Sequence, residues 1–262
     1  MSRTASEWCL LLGNHNLTGR TSGTAAWKPK EGVITMVSLR DFVATVEHYE
    51  KTHRRDAEDA FYRARSNLDG NFLARPFEQS MVEPIHRFLA LWRSYRHPID
   101  WKRLAEVWTP EAQNTASSLT GIRLEYARND VLAKADKLYS HLRQAKIAGI
   151  GHTNISKLLA LSLTNLCVMW DAEVRKEFLR EFPPLPRVRA SPRPPWSDYY
   201  RFLEHRCSVA NELVDQVVQE QGVGRNEAIA WLRRLPLDLT SDGHEKPLAK
   251  LLDEYYYDRY HQ

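Results

Sequence analysis

Glycine and cysteine are the scarce residues of this chain. Its 262 residues include 11 Gly, against 13 Pro, and only 3 Cys. Few stretches alternate apolar with polar side chains, so neither a glycine-rich β-barrel nor a chain of nucleotide-binding loops is expected. Cys9, Cys167 and Cys207 are too few and too scattered for a disulfide framework, a four-cysteine metal site or a four-cysteine iron–sulfur cluster. Long hydrophobic runs are missing too. Cys9 to Leu12 is too short for a signal-peptide core, and Leu158 to Trp170 is broken by Ser162, Thr164 and Asn165 and is too short to span a bilayer. There is no H-E-x-x-H, no Cys/His zinc spacing, no G-x-S-x-G, no Walker A sequence and no dinucleotide fingerprint. No metal, no cofactor and no membrane partner is therefore expected, and a reducing, cytoplasmic setting is the default.

Charge is close to balanced: 37 Lys+Arg against 33 Asp+Glu gives +4, which permits an anionic partner without demanding one. At 43% hydrophobic and 27% charged residues, the composition is that of an ordinary globular protein with ample chain for a core. Eight Trp and eleven Tyr are a generous aromatic supply.

Residues 1–37 show no clear period and read as a loop-rich N-terminal arm. From Ser38 the pattern is helical, and residues 38–262 form one helical region. Leu39, Phe42, Val46, Tyr49, His53, Ala57, Phe61, Ala64 and Leu68 follow the 3/4 spacing of a single helix face, with Ser38 and Asp41 as a capping pair and Asp69-Gly70-Asn71 as the stop. Further helices are predicted around Met81–Trp92, Leu104–Val107, from Thr109-Pro110 onward, from Asn129-Asp130 through Leu142, and at about 153–163 and 172–182. Residues 183–195 (PPLPRVRASPRPP) form a basic, semi-rigid connector, either a spacer over the surface or a strand touching nucleic acid. Helical spacing resumes from Ser197 and is broken at Gly222-Val223-Gly224. The tail from Asp253 is crowded with Tyr255, Tyr256, Tyr257 and Tyr260. The predicted fold class is all-α.

One segment carries chemical information. Residues 147–175 read IAGIGHTNISKLLALSLTNLCVMWDAEVR. Two glycines flanking Ile150 allow a tight hairpin between helices with the apolar side chain tucked inside. Backbone N–H groups at the next helix start then point outward, where they can hold a phosphate without reading sequence. The plain alternative is a simple αα turn. Bases are in excess here: Lys134, Lys137, Arg143, Lys146, His152 and Lys157 are opposed only by Asp136, as phosphate binding requires. A second group, His86, Arg87, Arg93, Arg96, Lys102 and Arg103, lies near the second predicted helix.

The hairpin Gly149-Ile150-Gly151, the packing positions Ile155 and Leu158, and Asp171 placed 20 residues after Gly151 resemble the helix-hairpin-helix DNA glycosylase superfamily. The resemblance covers about residues 130–180, with the hairpin motif itself at about 130–165. It implies a helical bundle that binds double-stranded DNA through Lys146, Gly149, Ile150, Gly151, His152 and Thr153. It also implies that a base is flipped into a pocket, for which Trp170 is the nearest wall and Trp92, Trp101, Trp108 and Trp196 are further candidates. Asp171 would stabilise the positive charge that develops on the deoxyribose and orient or deprotonate water. Alternatively, Asp171 only caps the following helix.

Bifunctional members of that superfamily carry a nucleophilic lysine two residues beyond the second glycine, and Thr153 stands there. Lys157, one turn later on the same face, is the substitute candidate, or else a lysine that neutralises phosphate or snorkels to solvent. The expectation is a monomeric, monofunctional DNA glycosylase without an iron–sulfur cluster. It would act in repair or against modified phage DNA. A non-catalytic hairpin DNA-binding protein and a helical interaction protein are the competing readings. Gly222-Val223-Gly224 lacks an aspartate at the right interval, since Asp238 comes 14 residues later. It reads as a helix break or a second DNA contact.

Overall fold

The computed structural model describes residues 37–53, 55–92, 97–183, 197–235 and 245–261. The expected N-terminal arm, apart from residue 37, and nearly all of the proline-rich connector lie outside the described residues. So do Cys9, Arg93, Arg96 and Trp196.

Among the described residues the protein is all-helical. Its α-helices are α1 (Leu39–Thr52), α2 (Arg55–Asn67), α3 (Val82–Leu91), α4 (Trp101–Val107), α5 (Pro110–Ser117), α6 (Asn129–Gln144), α7 (His152–Ser162), α8 (Ala172–Glu181), α9 (Asp198–Gln221), α10 (Arg225–Arg233) and α11 (Leu248–His261). Short 3-10 turns occupy Phe72–Ala74, Gln79–Met81 and Leu124–Tyr126. No helix among the described residues is long and apolar enough to cross a membrane.

Local chemistry sets most helix starts. Ser38 Oγ accepts from Asp41 N at 3.1 Å, Asp100 Oδ1 from Arg103 N at 2.9 Å, and Asp171 Oδ1 from Val174 N at 2.9 Å. Each bond satisfies an N–H that the first helical turn leaves without a partner. Thr109 caps α5 with Pro110 in its first turn, where the missing N–H costs nothing.

The single helix expected from Leu39 to Leu68 is instead two. His53 adopts ψ 147, outside the helical range. Its Nε2 lies 3.0 Å from Asp258 Oδ1, and His48 Nδ1 lies 2.9 Å from the same oxygen. The His53 ring also packs between Tyr49 and Tyr257. The break thus coincides with a contact to a buried carboxylate about two hundred positions away in sequence. Both halves keep their apolar faces toward the core, so the 3/4 spacing ran through the break unseen.

One hydrophobic core runs through the bundle. The 24-residue α9 packs on α6, α10 and α11, and α11 packs in turn on α1 and α8. Helix α7 lies among α2, α3 and α6. Every α7 residue from Asn154 to Ser162 is buried, as expected of a helix covered on all sides. Only its first turn reaches the surface.

Candidate functional site

The turn between α6 and α7 starts at Lys146, which takes a left-handed conformation (φ 49). Ile147 and Ile150 are buried, and Ile150 N donates to Ile147 O at 3.1 Å. Gly149 is left-handed as well (φ 73). A Cβ there would fall 2.6 Å from Pro98 O and 2.8 Å from both His97 O and Ile99 Cα. Asp100 N donates to Ala148 O at 3.1 Å, and Asn154 Nδ2 donates to Gly149 O at 2.8 Å. Only glycine fits a backbone approach this close. Gly151 differs: it is exposed, and nothing lies within 4 Å of the place its Cβ would take. The first glycine thus seats the turn, while the second keeps its outer face bare.

Past Gly151 the first intrahelical bond is Ile155 N to Gly151 O at 3.0 Å, and the first turn of α7 carries no acidic residue. Arg143 and Lys146 are exposed beside it. His152 opens the helix. Burial lowers its pKa to about 4, and Arg143 and Arg175 reinforce the shift. The neutral ring is hydrogen-bonded through Nδ1 to the Tyr139 hydroxyl at 2.6 Å. The geometry offers a helix N-terminus flanked by cations, which suits a phosphate.

Asp171 is joined to this hairpin through α7. Ser156 Oγ donates to Thr153 O at 2.9 Å and accepts from Trp170 N at 2.9 Å. That bond fixes the segment leading into α8 against the second turn of α7. Asp171 Oδ1 is held by the α8 cap, and Oδ2 lies 3.8 Å from His261 Nε2, with 17% of the side chain exposed.

The structure moves two residues from their expected roles. Lys157 does not snorkel: its side chain stays inside the bundle. It is 3% exposed because α7 has no open face there. Its ammonium lies over the Trp92 ring, 4.9 Å from the centroid. Burial lowers its pKa to about 8, against the pull of Asp171 and Asp253. Trp170 is packed in the core, stacked on Phe202 at 5.4 Å and beside Tyr199 and Tyr139. Its neighbour Asp171 faces the other way because successive side chains in an extended segment point to opposite sides. Of the other tryptophans, Trp108 is core, with Nε1 bonded to Leu73 O, and Trp101 stacks on Phe77. Trp92 is the one beside Lys157.

The residues that sequence reasoning missed are on α11. Lys250, Asp253, Tyr257 and His261 share one face, at intervals of three, four and four. Lys250 Nζ lies 3.6 Å from Asp253 Oδ2 and 5.7 Å from the Trp92 centroid. Burial raises Asp253 to about 7, and Asp171 adds to the rise while Lys250 and Lys157 oppose it. Tyr257 meets the Trp92 ring edge-on at 6.0 Å and stacks on His261 at 4.0 Å. The K-x-x-D-x-x-x-Y-x-x-x-H spacing is present in the sequence, but it lies among tyrosines that give it no distinct signature.

Comparison with known protein families, characterised proteins and solved structures returns no match.

Behind Asp253 the ionisable cluster continues inward. Glu50, Glu58 and Glu254 bring carboxylate oxygens within 4.8 Å of one another, a spacing that could hold a cation. Lys246 Nζ already bonds all three, and Lys250 Nζ lies 3.3 Å from Glu58 and from Glu254. Two ammonium groups supply the positive charge a metal would bring, so the cluster reads as a buried ion network.

Proposed function

We propose that this chain is a DNA glycosylase. It would bind duplex DNA as a monomer at the 146–153 hairpin, receive a flipped base, and hydrolyse the glycosidic bond to leave an abasic site. The observation that carries this reading is the coupling of the two halves of the site through one helix. The glycine hairpin opens α7, and the Ser156–Trp170 bond brings Asp171 against the second turn of that helix, close enough for its charge to act on Lys157.

That placement assigns each group a task. The open N-terminus of α7, with Arg143 and Lys146 beside it, positions a phosphate but cannot choose a sequence. Choice would come from the base that leaves the stack, an opening that costs on the order of a few kcal/mol. As the glycosidic bond lengthens, positive charge grows on the deoxyribose, and the Asp171 carboxylate is the accessible anion to stabilise it. Lys157 is buried deeper and lies against Trp92, so water rather than an amine is the nucleophile. This favours a monofunctional enzyme.

The test uses duplexes carrying oxidised, alkylated, deaminated or phage-type hypermodified bases, scored for abasic sites. Release of one such base, abolished by Asp171→Asn, supports the reading. Salt-dependent duplex binding without abasic product from any of them would leave a non-catalytic DNA-binding protein, and no binding at all would leave the hairpin a structural turn. Borohydride trapping addresses the nucleophile. A covalent adduct lost in Lys157→Ala would overturn the water mechanism.

A further inference from the structure

Asp171 belongs to a second, accessible contact that the hairpin does not use. The last turn of α11 ends at His261, 26% of whose side chain is exposed, with Nε2 3.8 Å from Asp171 Oδ2. The orientation of that ring is fixed on two sides. Nδ1 lies 2.8 Å from Tyr257 O, and a carbonyl can only accept, so Nδ1 carries the proton and the neutral ring keeps its lone pair on Nε2. Tyr257 lies parallel beneath the imidazole, with 4.0 Å between centroids and 14° between planes. Nε2, which holds the lone pair, is therefore the ring atom that lies beside Asp171 Oδ2, the oxygen that the α8 cap leaves over. A gap of 3.8 Å is too long for a direct hydrogen bond and suits one bridged by water.

Helix ends favour the same arrangement. Asp171 sits at the N-terminus of α8 and His261 at the C-terminus of α11. A carboxylate is stabilised at the first place and an imidazolium at the second.

We propose that His261 is the proton acceptor of this site, holding with Asp171 the water that attacks the deoxyribose; this rests on the glycosylase reading. The water oxygen bonds to the anomeric carbon while the carbon–nitrogen bond breaks and its electron pair leaves with the base. The water's proton passes to His261 Nε2, and the resulting imidazolium stands beside the Asp171 carboxylate. That proton then goes to the departing base or to solvent, which restores the neutral ring. Asp171 keeps its charge throughout and stabilises the sugar cation, so the two tasks fall to two residues.

The experiment is chemical rescue in single-turnover excision, on whichever damaged or modified duplex yields abasic product with the wild-type protein. His261→Ala opens a slot over the Tyr257 ring. It is expected to lower the rate about 10²-fold while duplex affinity stays within about twofold of wild type. Added imidazole is expected to restore at least tenfold of the loss, with substituted imidazoles following their basicity, and to do nothing for Asp171→Asn. A His261→Ala rate within about twofold of wild type overturns the proposal. So does a loss that no imidazole restores, which would assign His261 to anchoring α11. Absence of abasic product from wild type would instead defeat the glycosylase reading, and this proposal with it.

Discussion

Gly149-Ile150-Gly151 and Gly222-Val223-Gly224 share one spelling but are built for different ends. Both first glycines are left-handed, at φ 73 and φ 66. Gly149 is pressed against the backbone of residues 97–99, whereas nothing lies within 4 Å of a Cβ on Gly222. The second glycines differ in the opposite sense. Gly151 leads into a helix whose first turn has no acid. Gly224 N donates to Glu227 Oε2 at 3.2 Å, so α10 starts with a carboxylate of its own on its N-terminus. One turn is seated firmly and leaves its helix end open to an anion. The other is loosely seated and its helix end is already occupied. A glycine–apolar–glycine spelling specifies a reversal of the chain; the first turn of the next helix decides whether that reversal can bind phosphate.

The largest expected effect concerns Asp171, the carboxylate that the proposed glycosylase reading couples to the first turn. Asp171→Asn keeps a good cap for α8 and removes the charge. Excision is expected to fall about 10²–10³-fold, with stability within about 0.5 kcal/mol of wild type. Excision that persists in Asp171→Asn would remove the functional distinction between the turns.

Seating comes next. Gly149→Ala must overcome both the left-handed backbone and a 2.6 Å collision with a carbonyl oxygen, a loss of at least about 3 kcal/mol. Gly222→Ala meets only the backbone preference, about 1 kcal/mol. Urea unfolding of the two variants compares them directly, and equal losses would show that the 97–99 contact is not tight.

Smaller still is the electrostatic contrast. Lys146→Ala is expected to lower the slope of log K against log salt for duplex binding by about 1. Arg225→Ala, at the start of α10, is expected to leave it unchanged, because Arg225 is already paired with Asp215 at 2.8 Å. A slope change of the same size in both would make the second turn a DNA contact too.

Particular residues show how far the sequence could be read. The starts of α5, α8 and α9 were visible in Thr109-Pro110, Asp171 and Ser197, because a capping side chain bonds an N–H two or three residues on; that of α6 was visible in Asn129-Asp130 although no side chain caps it. The break at His53 was not visible, since the partner that meets it there, Asp258, lies at the other end of the chain. The burial of Lys157 is hidden for a related reason. Helical spacing says which residues share a face, but α7 is covered on every face past its first turn. Adjacency to Asp171 points to Trp170 as a pocket wall, yet Trp170 is packed in the core, as alternation along an extended segment allows. In the candidate site, the hairpin and Asp171 were legible because they are local. The face of α11 was not, because its residues gain meaning only where α11 meets Asp171, Lys157 and Trp92.

The smallest effect lies at the first residues of the helices that the two turns open. His152 begins α7 and Arg225 begins α10. Burial, aided by Arg143 and Arg175, brings His152 down from 6.5 to about 4 in the folded protein. Between those values the unfolded chain binds more protons than the folded one, so stability rises with pH across that window. The contribution of His152 is complete above about pH 6.5 and is lost as the pH falls through about 4. His152→Gln keeps a hydrogen-bond partner for the Tyr139 hydroxyl and removes the titration. The stability difference between wild type and this variant is expected to be constant above about pH 6.5 and to shift against wild type as the pH is lowered toward about 4. Exposure of the ring keeps the amplitude small. A difference that moves toward wild type on acidification would mean that the folded protein welcomes the proton. The open helix end would then carry a third cation at mildly acid pH, and the two turns would differ more than their geometry alone indicates.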